Sequence, residues 1–177
     1  MDSTTAIEAR ARAVRMIVFD VDGVLTDGSL FYDDQGEEYK AFNSRDGHGI
    51  KMLRASGVDS GIITGRTSRV VLHRCRNLGI ENIFQGAEDK LEALHKLLAA
   101  TGLGAGQIAY MGDDVVDLPV LRRAGLAITV PDAPDEVKAR CQWVTRAGAG
   151  RGAVREACEL IMRAQGTWAS QLALYDR

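Results

Sequence analysis

Short β-rich runs alternate with stretches of helical period along the chain. Strand-like, β-rich runs of three to seven residues span 15–19, 58–64, 82–85, 107–111, 126–130 and 143–145. Between them, apolar residues recur every three or four positions over 47–55, 68–78, 90–100, 115–123 and 134–140, with a longer stretch over 152–164. Turn and cap residues sit at strand ends: Asp22-Gly23, Thr64-Gly65 and Gly112-Asp113. This rhythm predicts βαβ units, and hence an α/β fold with a doubly wound, mainly parallel sheet and helices on both faces. In such a sheet, ligands bind at the carboxyl ends of the strands, near the point where strand order reverses.

One interval interrupts the rhythm. Residues 29–32 and 37–42 are β-rich and flank Asp33-Asp34-Gln35-Gly36, which predicts an inserted β-hairpin over about 29–42. Two strands cannot bury Leu30, Phe31, Tyr32, Tyr39 and Phe42 unaided, so the hairpin packs on its own domain or on another subunit. The first fifteen residues predict a short amphipathic helix. Asp2 and Glu8 and the lack of an apolar run argue against a signal peptide; a transit peptide is a weaker alternative, which Arg10, Arg12 and Arg15 fit but the acids do not. The tail, about 166–177, is too short and mixed to assign. With no repeat, low-complexity tract or Pro-rich linker, residues 1–177 are expected to form one domain.

Composition narrows the class. Of the 177 residues, 46% are hydrophobic and 26% charged, which excludes a disordered or collagen-like chain. A chain this long buries roughly 70% of its unfolded surface and needs no covalent staple. With 22 basic and 24 acidic residues, the net charge of -2 argues against nucleic acid as a partner. No run approaches a membrane span. Cys75, Cys141 and Cys158 are odd in number and far apart, which suits reduced thiols and a cytoplasmic location better than disulfides or zinc.

The candidate chemistry lies at strand ends. Asp20-Val21-Asp22-Gly23 follows the first strand; in extended backbone, residues two apart face one way, so both carboxylates can reach one pocket while Val21 returns to the core. Paired carboxylates repel, and a divalent cation is the usual means of keeping both ionised. A second acidic group, Asp113 and Asp114 with Asp117, follows the fourth long strand, and hard oxygen donors of this kind suit Mg²⁺. Thr64-Gly65-Arg66 offers a hydroxyl and free N–H groups to an anion, and Lys90 at a helix start offers an ammonium. Each piece has a plain alternative: an acidic turn, helix-capping acids, a strand-ending turn, an exposed lysine. Their common placement at strand ends, in one order, favours a phosphate-handling site.

The ordered set resembles the haloacid dehalogenase superfamily of phosphohydrolases: the 19–27 stretch FDVDGVLTD, then Thr64-Gly65-Arg66, then Lys90, then Gly112-Asp113-Asp114 with Asp117. The resemblance runs from about Arg15 to Glu159. It is closer still to the members that hydrolyse 3-deoxy-D-manno-octulosonate 8-phosphate, through the hairpin, Arg45-Asp46-Gly47-His48-Gly49 and the Gly-rich 147–156 segment. It implies a Rossmann-like fold without a cap domain and an Mg²⁺-dependent phosphatase of lipopolysaccharide precursor synthesis. Asp20 would be the nucleophile and Asp22 the acid and base. Thr64 and Gly65 would hold the phosphoryl oxygens and Lys90 would neutralise them. Asp20, Asp113 and the Asp22 backbone carbonyl would bind the metal, with Asp114 and Asp117 supporting. The resemblance also implies a homotetramer whose hairpins pack together, each site being closed by a neighbour's C-terminal tail. Arg45, Lys51, Arg66 and Arg151 are candidate partners for the substrate carboxylate, Arg66 foremost; His48 reads as a packing residue.

Other readings stay open: a phosphatase for another nonulosonate or sugar phosphate, and a catalytically idle oligomerisation module of the same fold. A receiver domain also uses clustered acids, a Thr and a Lys, but places its acceptor Asp after the third strand.

Overall fold

The computed structural model describes residues 4–176. Six strands form a parallel sheet: β1 (Met16–Phe19), β4 (Asp59–Ile63), β5 (Asn82–Phe84), β6 (Ile108–Met111), β7 (Leu126–Thr129) and β8 (Trp143–Val144), in the order β5-β4-β1-β6-β7-β8. Every residue of β1, β6 and β7 is buried, as a parallel sheet covered on both faces requires. The predicted α/β class and the six predicted strands are all found.

From β1 the chain first winds through β4 to β5. It then crosses to β6 and winds the other way to β8, so strand order reverses beside β1. Register sets the rim: Phe19 lies level with Ile62 of β4 and Met111 of β6. Asp20, Thr64 and Asp113 therefore emerge within two residues of one another at the same edge of the sheet.

Helices flank the sheet in two groups. α1 (Thr4–Ala13) packs on α7 (Ala153–Ala164), and α7 on α2 (Ser44–Ala55); α4 (Lys90–Thr101) packs on α5 (Leu118–Leu121). The Asp46 carboxylate binds α2 to α7, accepting from Gly152 N at 3.2 Å and Arg155 N at 2.7 Å. α3 (Arg69–Leu78) and the short α6 (Asp135–Lys138) complete the crossovers. The predicted N-terminal helix is α1, its first three residues lying outside the described ones.

The structure differs from expectation in three places. The hairpin strands are only two residues each, β2 (Phe31–Tyr32) and β3 (Glu38–Tyr39). Asp33 closes the turn by accepting from Gln35 N and Glu37 N, and beyond β3 the Lys40 side chain is drawn toward Asp22 instead of extending the pairing. The helix predicted over 115–123 begins as a 3₁₀ turn, Val115–Asp117, because Asp117 turns inward and Pro119 opens the α-helical part. The unassigned tail forms α8 (Trp168–Ala173), with the Trp168 ring under Arg155 and Arg163 at 5.6 and 4.5 Å. The last described residues include Tyr175, whose ring meets His48 of α2 edge-on at 5.2 Å.

Candidate active site

Asp20 leaves β1 in extended backbone and Asp22 does the same two residues later, with Val21 buried between them. The chain then turns sharply at Gly23 (φ +85°), where an added Cβ would stand 2.1 Å from an Asp113 carboxylate oxygen. Gly112 is similarly constrained: a Cβ there would meet the Asp117 carboxylate at 2.4 Å. Both turns need bare Cα atoms for the acids to converge.

The inner part of the site is centred on Asp117, which is fully buried. Its Oδ1 accepts from Lys90 Nζ and from the Tyr110 hydroxyl, both at 2.6 Å, and its Oδ2 accepts from Asp113 N at 3.1 Å and Asp114 N at 3.2 Å. Four donors leave this carboxylate little capacity for anything else, so it anchors the loop that carries Asp113. Lys90 enters from the first turn of α4, whose start is capped by Asp89 accepting from Leu91 N and Glu92 N. Its ammonium also lies 2.8 Å from Asp20 Oδ2. Burial works to lower the Lys90 pKa, but Asp20 and Asp117 outweigh it and hold the ammonium above its ordinary range.

Asp113 is the unsatisfied member. Its Oδ1 is buried without a hydrogen-bond partner. Burial, reinforced by Asp20 and Asp117, pushes its pKa up to about 7. Burial likewise raises Asp20, with Asp117 adding to the effect and Lys90 opposing it. Oxygens of Asp20, Asp113 and Asp117 lie within 4.8 Å of one another, the one such cluster among the described residues. Three carboxylates and one ammonium sum to two negative charges, the complement of a divalent cation. The donors are all hard oxygens and one is orphaned, so these residues fit Mg²⁺. Asp20 and Asp113 would hold it.

Above them opens a cavity of about 380 Å³ lined by Asp20, Asp22, Thr64, Arg66, Lys90 and Asp113, among others. Gly65, Asp114 and the half-exposed Val116 also reach it. All the predicted catalytic residues thus meet at one cavity. The Asp22 carboxylate stands apart from the three-acid cluster, with Oδ1 at 2.5 Å from Lys40 Nζ and Oδ2 at 3.7 Å from Arg66 Nε. Arg66 donates to the Tyr32 hydroxyl and, at 3.0 Å, to Glu38. Burial works against ionised Glu38, but Ser68, Lys40 and Arg66 hold its pKa below the usual range.

Arg45 is not brought to this cavity: it is exposed and lines a separate one of about 310 Å³ with Arg146, Arg151 and Arg155. Lys51 is exposed, and Arg151 lies mostly in solvent, 3.9 Å from Asp27. The sequence reading missed Lys40, Glu38, Tyr32 and Tyr110. Period-two spacing carries a signal for the first two, since Glu38 and Lys40 share a face of an extended segment. For Tyr110 the signal is a hydroxyl in an otherwise apolar strand.

Comparison with known proteins places the chain in a family. Residues 79–156 match the haloacid dehalogenase-like hydrolase family. The 3-deoxy-D-manno-octulosonate 8-phosphate phosphatase KdsC of Yersinia pestis is 47% identical over 88% of this chain and 83% of its own length. Its counterpart from Escherichia coli K12 is 45% identical over 89% of this chain and 84% of its own. A crystal structure of the Moraxella catarrhalis 3-deoxy-D-manno-octulosonate 8-phosphate phosphatase, in complex with magnesium, phosphate and KDO, superposes with a TM-score of 0.96. That protein is 40% identical, and the match covers 98% of this chain and 99% of the other.

Proposed function

Because the chain belongs to the haloacid dehalogenase-like hydrolases, in the family of the 3-deoxy-D-manno-octulosonate 8-phosphate phosphatases, we propose that it hydrolyses 3-deoxy-D-manno-octulosonate 8-phosphate to the free sugar acid and phosphate, a step of lipopolysaccharide precursor synthesis. The observation that carries this reading is the orphaned, buried Asp113 oxygen beside Asp20, at the floor of the cavity that Asp22, Thr64 and Lys90 line.

In the first half of the reaction an Asp20 oxygen bonds to phosphorus while the bond to the sugar oxygen breaks, and Asp22 gives that oxygen its proton. In the second, Asp22 takes a proton from water as the water oxygen bonds to phosphorus, and the aspartyl-phosphate bond breaks to restore the Asp20 carboxylate. Lys90, fixed between Asp20 and Asp117, neutralises the phosphoryl oxygens, and Thr64 with Gly65 orients them. Mg²⁺ held by Asp20, Asp113 and the Asp22 carbonyl would supply the positive charge that lets a carboxylate approach a phosphate dianion. Arg66, across the cavity, suits the substrate carboxylate.

The whole chain acts in this reading as one cytoplasmic catalytic unit and assembles as a homotetramer. Two features support assembly: Leu30, Phe31, Tyr32 and Tyr39 expose an apolar hairpin surface, and Leu172, Leu174 and Tyr175 do the same near the C-terminus. A neighbour's tail would then complete a cavity over which the described residues place no cap domain. Three buried free cysteines suit the compartment, and among the described residues no helix is long and apolar enough to cross a membrane.

Phosphate release across a panel of sugar phosphates, with Mg²⁺ and with chelator, tests the activity. The octulosonate phosphate should stand out and chelator should abolish turnover; a different preferred sugar acid would remove the substrate assignment. Light scattering tests the assembly, and a monomer would overturn it.

A further inference from the structure

Lys40 follows the second hairpin strand, yet its side chain is only 1% exposed. Burying an ammonium is unfavourable by several kcal/mol unless carboxylates meet it. Two do: Asp22 Oδ1, and Glu38 Oε1 at 3.1 Å. Glu38 binds Arg66, and Arg66 approaches the other Asp22 oxygen. Asp22, Lys40, Glu38 and Arg66 therefore close a ring of alternating charge that sums to zero.

We propose that Lys40 is a positioning residue for the reaction: its contact with Oδ1 holds the plane of the Asp22 carboxylate, the group that gives a proton to the leaving sugar oxygen and later takes one from water. The inference rests on the reading of Asp22 as the acid and base. Lys40 meets one Asp22 oxygen at 2.5 Å while Arg66 stands 3.7 Å from the other, so the shorter contact fixes the carboxylate plane. Displacement of a reacting group by about 1 Å costs roughly 10²-fold in rate, so a carboxylate free to rotate would be a poor acid even with every catalytic residue present.

The test compares wild type, Lys40→Met and Lys40→Arg on two substrates by kcat/KM, which reports transfer to Asp20. The octulosonate phosphate has an alkoxide leaving group that needs the proton; p-nitrophenyl phosphate releases a stable phenolate that does not. Lys40→Met should lose roughly 30- to 100-fold on the sugar phosphate and less than about threefold on the nitrophenyl ester. Lys40→Arg should recover most of the difference. In an Asp22→Asn background, Lys40→Met should cause no further loss. That double variant keeps the ring neutral, so the comparison stands even if Lys40→Met alone does not fold. Equal losses on both substrates, or a further loss in the Asp22→Asn background, would overturn the inference and leave the phosphatase reading intact. A wild-type chain inert toward both substrates would overturn that reading, and the inference with it.

Discussion

The two walls of the cavity are built from opposite materials. The inner wall hangs on the sheet: Asp20 and Asp113 leave central strands, Asp117 and Lys90 are buried, and one carboxylate receives four donors. The outer wall is a ring of four charges, two of them delivered by a hairpin with only two residues in each strand and an exposed apolar surface. The inner wall holds its geometry because changing it would mean unpacking the core. The outer wall holds its geometry only while the hairpin stays seated. In the proposed mechanism, charge at the nucleophile is thus secured by the fold, and orientation at the acid by a peripheral element.

Four outcomes would sharpen or break this contrast. The largest effect should come from Asp20→Asn, which should lower phosphate release by about 10⁴-fold or more while leaving the fold unchanged by circular dichroism. Retained turnover would remove the covalent scheme. Asp117→Ala comes next: it leaves the buried Tyr110 hydroxyl and the Asp113 and Asp114 N–H groups without their acceptor and Lys90 with Asp20 alone, and should cost about 2–4 kcal/mol in denaturant unfolding. A loss below about 1 kcal/mol would show that the inner wall is not anchored there.

The third outcome concerns pH. Asp113 titrates near 7 in the folded chain, above its ordinary value of 3.8. Without a cation, stability should therefore fall as pH rises from about 4 to about 7, since the folded state holds the proton that the unfolded state has lost. Mg²⁺ displaces that proton, so its affinity by calorimetry should drop roughly tenfold per pH unit below 7 and level off above. A flat profile would show that no ligand carboxylate titrates near 7. The smallest effect on the single chain belongs to the outer wall: Phe31→Ser with Tyr39→Ser should change its unfolding free energy by no more than about 0.5 kcal/mol. The same pair should shift the assembly measured by light scattering and lower activity on the sugar phosphate.

How much of this was legible in the sequence follows the same division. Strands as short as Ile108–Met111 and Met16–Phe19 announce themselves because burial on both faces demands unbroken apolar runs, and the acids that follow them are placed by register alone. Thr64 and Lys90 were readable for the same reason, Thr64 standing just beyond a predictable strand and Lys90 at the start of a predictable helix. What escaped depends on side chains meeting across long stretches of chain. Nothing local to Lys40 shows that its ammonium is buried against Asp22, eighteen residues earlier. The inward turn of Asp117, which breaks the predicted helix, is decided by Tyr110 and Lys90 rather than by helix propensity. Arg45, expected near the substrate, instead lines a separate cavity with Arg146, Arg151 and Arg155, and a distance along the chain gives no warning of that.

Gly23 bears on how relatives of this chain are compared. A side chain there would have to evict the Asp113 carboxylate from its seat, so a sequence that gained even an alanine at that point would retain every acid and base on which recognition depends and still be disarmed. Inventories that score only the charged residues will therefore overcount working enzymes, and the bare Cα atoms at 23 and 112 are the positions to inspect first.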